Sequence, residues 1–117
     1  MPDTTLLNSS VKIAALELRI ELEAVAAEQR LAGQPHTGSA TLGEFGGSEI
    51  GVWEMTPGAM SDVEADEIFV VLFGAGTVEF EETGETVLLA PGDVMRLRAG
   101  QRTVWTITQT LRKVYFA

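Results

Sequence analysis

Apolar and polar side chains alternate along most of this chain, which is the pattern of β-strands that bury one face. Near the start, four aliphatic residues between positions 16 and 22 alternate with charged residues, and this predicts a strand over residues 12–22. The abundance of Ala, Leu and Glu in that stretch favours a helix, but periodicity is the stronger signal. Residues 24–32 are predicted to form one or two helical turns that end at Gly33.

After a predicted loop over residues 34–38, short apolar stretches alternate with turn residues. The predicted strands cover residues 40–45, 50–55, 67–73, 77–81, 86–89, 94–98, 103–108 and 112–116. Pro57-Gly58 and Pro91-Gly92 suit type II turns, because Pro fixes φ and Gly accepts a positive φ. Residues 74–76, Gly-Ala-Gly, are also predicted to form a turn. Strands at this spacing predict one all-β domain over residues 1–117, a sandwich or barrel with an extra N-terminal strand.

The predicted strand over residues 67–73 is apolar on both faces. One face carries Phe69, Val71 and Phe73, and the other carries Ile68, Val70 and Leu72. A strand that is covered on only one side does not need a second apolar face. Either the N-terminal strand or another subunit covers that face, and we favour a homodimer.

Charge and composition narrow the range of partners. The chain has 17 acidic and 8 basic residues, a net charge of -9 at pH 7. An acidic protein is repelled by phosphates, so neither nucleic acid nor an anionic membrane surface is an expected partner. The absence of cysteine excludes disulfides, thiolate nucleophiles and cysteine-based zinc sites. The N-terminus lacks the signal-peptide pattern and no apolar run is long enough to cross a membrane, so the expected location is cytoplasmic.

The stretch from Trp53 to Tyr115 resembles a cupin, a small jelly-roll barrel with two sequence motifs. Glu67 and Gly74 match the second half of the first motif. Gly92 and Gly100 fit the frame of the second motif, although Arg98 and Thr103 stand where that motif has proline and histidine. More closely, the chain is similar to the small cupins grouped with ureidoglycine aminohydrolase, through Gly51-Val52-Trp53-Glu54, Pro57-Gly58, Asp66-Glu67, Pro91-Gly92-Asp93, Ala99-Gly100, Trp105 and Arg112-Lys113-Val114-Tyr115. This resemblance, within residues 51–116, implies a cupin-type jelly-roll barrel (a double-stranded β-helix) but not a reaction, because this fold carries many chemistries.

The resemblance also implies where a cupin metal site would lie. The four ligand positions fall at Ser61, Val63, Glu67 and Thr103, or at Met60 and Asp62 for the first two if one residue is inserted. Only Glu67 is a good ligand, and a single carboxylate does not hold a transition metal. We therefore predict no metal and no other cofactor, with a divalent ion at an unusual site as the alternative. The one histidine, His36, is expected in a surface loop.

Glu67 is the candidate catalytic residue, because strand parity places it in the lumen. In a structural role, Glu67 is hydrogen-bonded to Thr103 or Tyr115, or is paired with Arg102 or Lys113. In a functional role, it acts as a general acid or base, or as a ligand anchor. The expected ligand-binding residues are Trp53, Met55, Glu67, Phe69, Thr103, Trp105 and Tyr115. These side chains either fill the barrel or form a small pocket with aromatic walls. The acids at positions 62, 64 and 66 are expected on an outward, solvated face.

Three functions are consistent with these observations. The first is a barrel that binds a small polar metabolite without a transition metal. The second, which the resemblance suggests, is an enzyme of ureide or related nitrogen metabolism. The third is a structural or interaction module whose barrel is filled.

Overall fold

The structure, a computed structural model, describes Leu7 and residues 11–117. In this part of the chain every regular element is a β-strand and there is no helix. The strands are β1 Glu23–Ala24, β2 Arg30–Ala32, β3 His36–Phe45, β4 Ser48–Met55, β5 Gly58–Val63, β6 Glu67–Phe80, β7 Thr86–Leu89, β8 Val94–Leu97 and β9 Arg102–Phe116.

Two long strands, β6 and β9, organise the barrel. They pair with each other in antiparallel fashion from Ile68 opposite Phe116 to Phe80 opposite Thr103. The other edge of β9 is shared by β4 and β5, and the other edge of β6 is shared by β7 and β8. The sheet therefore curls on itself. The path β1-β3-β4-β9-β5-β2 runs through β9, and β6 with β7 and β8 lies on the opposite edge of β9. The fold is all-β, a jelly-roll barrel, as the sequence predicts.

The predicted turn at residues 74–76 is wrong, because the chain stays in strand β6 there. The register shifts three times between Val71 and Gly76, so the glycines lie in an irregular, bulged part of the strand. Gly74 has a φ of 100°, and a Cβ on it would collide with the backbone of Thr110. Glycine here allows β6 to bend while β9 passes close to it. In the same way, the two strands predicted over residues 103–116 are one continuous strand.

The N-terminal predictions also need correction. Residues 12–22 form no strand. Their alternation is preserved only from residue 18, since Leu18, Ile20 and Leu22 are half-buried while their neighbours are exposed, and Leu16 is exposed. A Cβ on Gly38 would collide with the carbonyl of Glu21, so this segment packs against the face of β3 and does not pair with an edge. Pairing is limited to the two residues of β1. The helical turns predicted over residues 24–32 are replaced by a turn and strand β2, and strand β5 was not predicted.

A buried ion pair lies on the outer face of the sheet, beneath the N-terminal segment. Arg112 Nη2 is 2.7 Å from Glu54 Oε1, and Arg112 Nη1 donates a hydrogen bond of 2.8 Å to the carbonyl of Ala15. The guanidinium also lies over the ring of Phe73. The prediction that Phe73 shares a face with Phe69 and Val71 is wrong, because the register shift after Val71 turns Phe73 to the outer face. The N-terminal segment thus covers part of the outer face that the sequence predicts to be covered.

Further along that face, Val70 and Leu72 are half-buried and Ile68 is 44% exposed. The apolar core lies inside the barrel and includes Met55, Phe69, Val71, Val78, Leu97, Trp105, Ile107 and Leu111. The described part of the chain contains no helix long and apolar enough to cross a membrane.

Candidate functional site

One end of the barrel holds a cavity of about 260 Å³. The register of the sheet builds its wall, since Trp53 of β4 lies opposite Lys113 of β9, and Ser39 of β3 lies opposite Trp53. The cavity is lined by Ser39, Trp53, Asp62, Val63, Glu64, Ala65, Glu67, Trp105, Lys113 and Tyr115. It therefore combines three carboxylates and one ammonium with two indole rings.

A buried ion pair forms part of the cavity wall. Lys113 Nζ lies 2.6 Å from Glu67 Oε2, and the two side chains are only 6% and 13% exposed. Glu67 Oε2 has no other partner among the described residues. The attraction between the two charges is strong because water is largely excluded from the pair.

Three aromatic rings enclose the ammonium of Lys113. Nζ lies 4.7, 4.4 and 4.7 Å from the ring centroids of Trp53, Phe69 and Trp105. These distances are within the range of cation–π contacts. The rings and the Glu67 carboxylate together stabilise a positive charge at this nitrogen.

Glu64 is a second buried carboxylate in the cavity. Its Oε2 accepts hydrogen bonds from Thr103 Oγ1 at 2.6 Å and from Trp105 Nε1 at 2.9 Å. Its backbone is fixed by Gln101 and Gly100, because Glu64 N donates to the Gln101 carbonyl and Gly100 N donates to the Glu64 carbonyl. The prediction that the acids at positions 62, 64 and 66 face solvent is wrong for Asp62 and Glu64, which line the cavity, and is confirmed for the exposed Asp66. The inward face of β5 carries the even-numbered residues, because Met60 and Asp62 lie opposite the buried Trp105 and Thr103 of β9, and Glu64 continues that parity.

Two further titratable groups at the cavity have perturbed acidity. Burial, followed by the charge of Glu64, raises the pKa of Asp62 above its ordinary value of 3.8. Burial and a hydrogen bond to Glu49 raise the pKa of Tyr115 to about 12. The Tyr115 hydroxyl donates to Glu49 Oε2 over 2.7 Å. At neutral pH Tyr115 is therefore a neutral hydroxyl, and Asp62 holds a proton more readily than an exposed aspartate.

The structure brings together only some of the predicted site residues. Trp53, Glu67, Trp105 and Tyr115 line the cavity. Phe69 lies behind it, in contact with the ammonium of Lys113, and Met55 is buried in the core. Thr103 is buried and reaches the cavity only through Glu64.

Lys113 and Glu64 are site residues that the sequence pattern did not single out. Lys113 entered only as one of several partners for Glu67, although its parity with Tyr115 in strand β9 could have placed it in the lumen. The inward parity of Met60 and Asp62 in β5 would likewise have placed Glu64 in the lumen, but strand β5 was not predicted.

The residues at the cupin ligand positions do not fit a transition metal. Val63 is 65% exposed, Thr103 donates to Glu64, and Glu67 is paired with the ammonium of Lys113. Ser61 Oγ faces the carbonyl of Gln29. Among the described residues, no three His, Asp or Glu side chains are close enough to hold a metal together. His36 opens strand β3 and is not in the predicted loop, and its Nδ1 lies 3.0 Å from the carbonyl of Gln34.

A second depression of similar size, about 270 Å³, lies elsewhere on the barrel. It is lined by Phe80, Glu82, Thr83, Glu85, Met95, Arg96, Gln101 and Arg102. None of these side chains is buried. Because exposed charges are screened by water, we place the candidate site at the cavity that contains Lys113 and Glu67.

The jelly-roll barrel with a polar cavity in its lumen defines the class of the protein, which is a cupin. More particularly, residues 42–115 match the EutQ-like cupin domain, over more than half of the chain, and the chain belongs to that family. No curated protein matches the sequence.

Solved structures show the same fold at low sequence identity. A protein of unknown function from Pseudomonas syringae pv. tomato aligns with a TM-score of 0.72 and 23% identity, over 86% of this chain and 44% of its own. A Salmonella typhimurium protein described as ethanolamine utilization protein Q aligns with a TM-score of 0.61 and 19% identity, over 85% of this chain and 94% of its own. The polyketide cyclase RemF from Streptomyces resistomycificus aligns with a TM-score of 0.61 and 17% identity, over 93% of this chain and 79% of its own. At these identities the similarity concerns the fold alone.

Proposed function

We propose that this EutQ-like cupin binds a small polar metabolite in its lumen without a transition metal. The observation that supports this proposal best is the buried pair of Lys113 and Glu67 in the wall of the cavity. Burying two charges costs several kcal/mol per ion, and a well-packed apolar pair of similar volume is often as stable or more stable. Stability alone therefore gives little reason for an ion pair inside this barrel, whereas a binding site needs polar groups there.

The charges of the cavity limit the kind of ligand. Asp62, Glu64 and Glu67 face a single base, Lys113, among the described lining residues. An anionic ligand would be repelled by this excess of carboxylates, while a neutral or cationic ligand with hydrogen-bond donors would be attracted. The ring of Trp53 is half-buried and offers an apolar surface for the rest of the ligand.

A thermal-shift screen tests the binding proposal. The probes are propionamide and glycinamide, which are small, polar and not anionic, with ethanolamine added because it occurs in the name of a structural relative. Propionate serves as the anionic comparison. A ligand at a hundred times its Kd stabilises the folded state by about 2.7 kcal/mol, which a melting curve resolves easily. Trp53→Ala should abolish the shift, and Leu88→Ala, at an exposed position outside the cavity, should leave it unchanged. If propionate alone stabilised the protein, or if the shift survived Trp53→Ala, binding would have to lie elsewhere.

The second candidate function is an enzyme of ureide metabolism similar to ureidoglycine aminohydrolase. It is favoured by a carboxyl of raised pKa, Asp62, beside the pair of Lys113 and Glu67, since perturbed acids and bases are typical of active sites. Incubation with ureidoglycine and allantoate, followed by an ammonia assay, tests this candidate. Turnover that is lost in Glu67→Gln would support it, and the absence of ammonia from both compounds would exclude it.

The third candidate, a structural module, predicts that none of the screened compounds shifts the melting temperature. We also propose that the protein is a homodimer, which the exposed side chains of Ile68, Val94 and Phe116 on one apolar face support. Light scattering would test this, and a monomer at all concentrations would contradict it. The cytoplasmic location stays a prediction from the sequence.

A further inference from the structure

We propose that Lys113 captures a small uncharged aldehyde or ketone in the lumen as an iminium, a protonated Schiff base. This inference rests on the proposed function, because it assigns a chemical class of ligand to the same cavity. Lys113 is the only amine among the described cavity residues, its side chain is 6% exposed, and a carboxylate lies 2.6 Å from its nitrogen. Burial beside an acid–base partner is a setting in which a lysine can be converted to its nucleophilic free amine and form a Schiff base.

The aromatic cage favours the product as much as the resting state. Trp53, Phe69 and Trp105 stabilise a positive charge at Nζ of Lys113, where the free protein carries an ammonium. The iminium keeps one positive charge on the same nitrogen. The cation–π contacts and the attraction to Glu67 are therefore kept when the C=N bond forms.

Glu67 can carry out two of the three proton transfers of the reaction. Its carboxylate first takes a proton from the ammonium, and the freed lone pair of Nζ attacks the carbonyl carbon. The carbonyl oxygen receives a proton from the nitrogen, which gives a neutral carbinolamine. The Glu67 carboxyl then returns its proton to the hydroxyl group, water leaves, and the nitrogen lone pair forms the C=N bond. One ammonium and one carbonyl compound thus yield one iminium and one water, and no oxidant or reductant is consumed.

The same cavity sets the class of carbonyl compound. Asp62 and Glu64 lie beside the pair, so a 2-oxo acid would bring a third carboxylate against two that are not paired with a base in the described cavity. A neutral aldehyde avoids this repulsion. The volume of about 260 Å³ accommodates a compound of a few carbon atoms.

Reductive trapping tests the proposal on the full chain. The chain has two lysines, Lys113 and the exposed Lys12, so each molecule contains its own reference amine. Wild-type protein is incubated with propanal and sodium cyanoborohydride at neutral pH, and propylation at each lysine is followed by peptide mass spectrometry. Lys113 should react at least about tenfold faster than Lys12, because the cavity supplies proximity and a proton acceptor. In urea both lysines should react at the same rate. Pyruvate should label Lys113 more slowly than propanal does.

Variants and a non-reactive probe complete the test. Glu67→Gln should slow labelling of Lys113 and leave Lys12 unchanged, whereas Arg96→Gln, which removes an exposed ion pair, should behave as the wild type. The two-lysine comparison in the wild type decides the question even if Glu67→Gln does not fold. Lys113 reacting no faster than Lys12 would overturn the proposal. If propionamide still raised the melting temperature, the binding function would stand without the covalent step, and if it did not, both would fail.

Discussion

Methionine in place of Lys113 keeps an unbranched, apolar side chain of similar length but removes the only positive charge among the described residues of the cavity. Glu67 would then be left with a carboxylate that is 13% exposed and has no counter-ion. The variant separates the charge of Lys113 from its packing, because methionine can still contact the aromatic rings.

The distances in the cavity give the size of the effect. At 2.6 Å, and with an effective dielectric constant of about 20, the attraction between the two charges is about 6 kcal/mol. Contacts with three aromatic rings add roughly 1–2 kcal/mol, and the desolvation of the ammonium offsets several kcal/mol of this sum. Removal of one partner of a buried pair typically costs 3–5 kcal/mol, so we expect Lys113→Met to lower the free energy of unfolding by about 4 kcal/mol.

Urea denaturation followed by tryptophan fluorescence measures this loss, since both tryptophans of the chain, Trp53 and Trp105, contact the ammonium. A second substitution, Glu67→Leu, should restore most of the stability of Lys113→Met, because it removes the unpaired charge. Arg96→Met breaks an exposed pair and should have little measurable effect. A loss below about 1 kcal/mol in Lys113→Met, or no recovery in the double variant, would refute our account of the pair.

Three further predictions concern the groups around this pair. Thr103→Val removes the 2.6 Å hydrogen bond to Glu64 and should cost about 2 kcal/mol in urea denaturation, while an unchanged midpoint would show that Glu64 does not depend on it. The raised pKa of Asp62 means that its folded form binds a proton more tightly than its unfolded form, so this group contributes stability below pH 3.8 that is lost as the pH rises through the folded pKa. Asp62→Asn should therefore gain stability relative to the wild type between acid and neutral pH, and parallel curves would contradict this sign. Tyr115, the only tyrosine, should ionise in an absorbance titration near pH 12 when folded and near pH 10 in urea, so its contribution to stability is present below pH 10 and lost as the pH approaches 12. A folded-state midpoint at pH 10 would show that Tyr115 is not buried against Glu49.

Several features of the fold could be predicted because they depend on neighbouring residues. Alternation places side chains on opposite faces of a strand, and Pro-Gly pairs favour turns, so most strands of residues 40–116 were found close to their observed positions. The prediction was wrong where a local signal has two physical outcomes. A glycine-rich stretch can end a strand or bend it. At Gly74 the strand bends and continues, because it stays paired with the neighbouring strand β9. In residues 12–22, side chains can be alternately half-buried and exposed because the segment lies on the face of the sheet, although it is not a hydrogen-bonded strand of that sheet.

The sequence by itself determined an all-β cupin barrel, an inward Glu67 and the lack of good metal ligands at Ser61, Val63 and Thr103. Only the tertiary structure decided which base faces Glu67, because Lys113 comes from a strand far away in sequence and the pairing of β6 with β9 brings the two together. It also decided that Glu64 faces inward, since β5 pairs with β9 so that Met60 and Asp62 lie opposite Trp105 and Thr103, and Glu64 continues this inward parity. Hydrogen bonds from Thr103 and Trp105 then hold its carboxylate in the lumen. Contacts of this kind depend on strand register over long sequence separations, which local patterns do not encode.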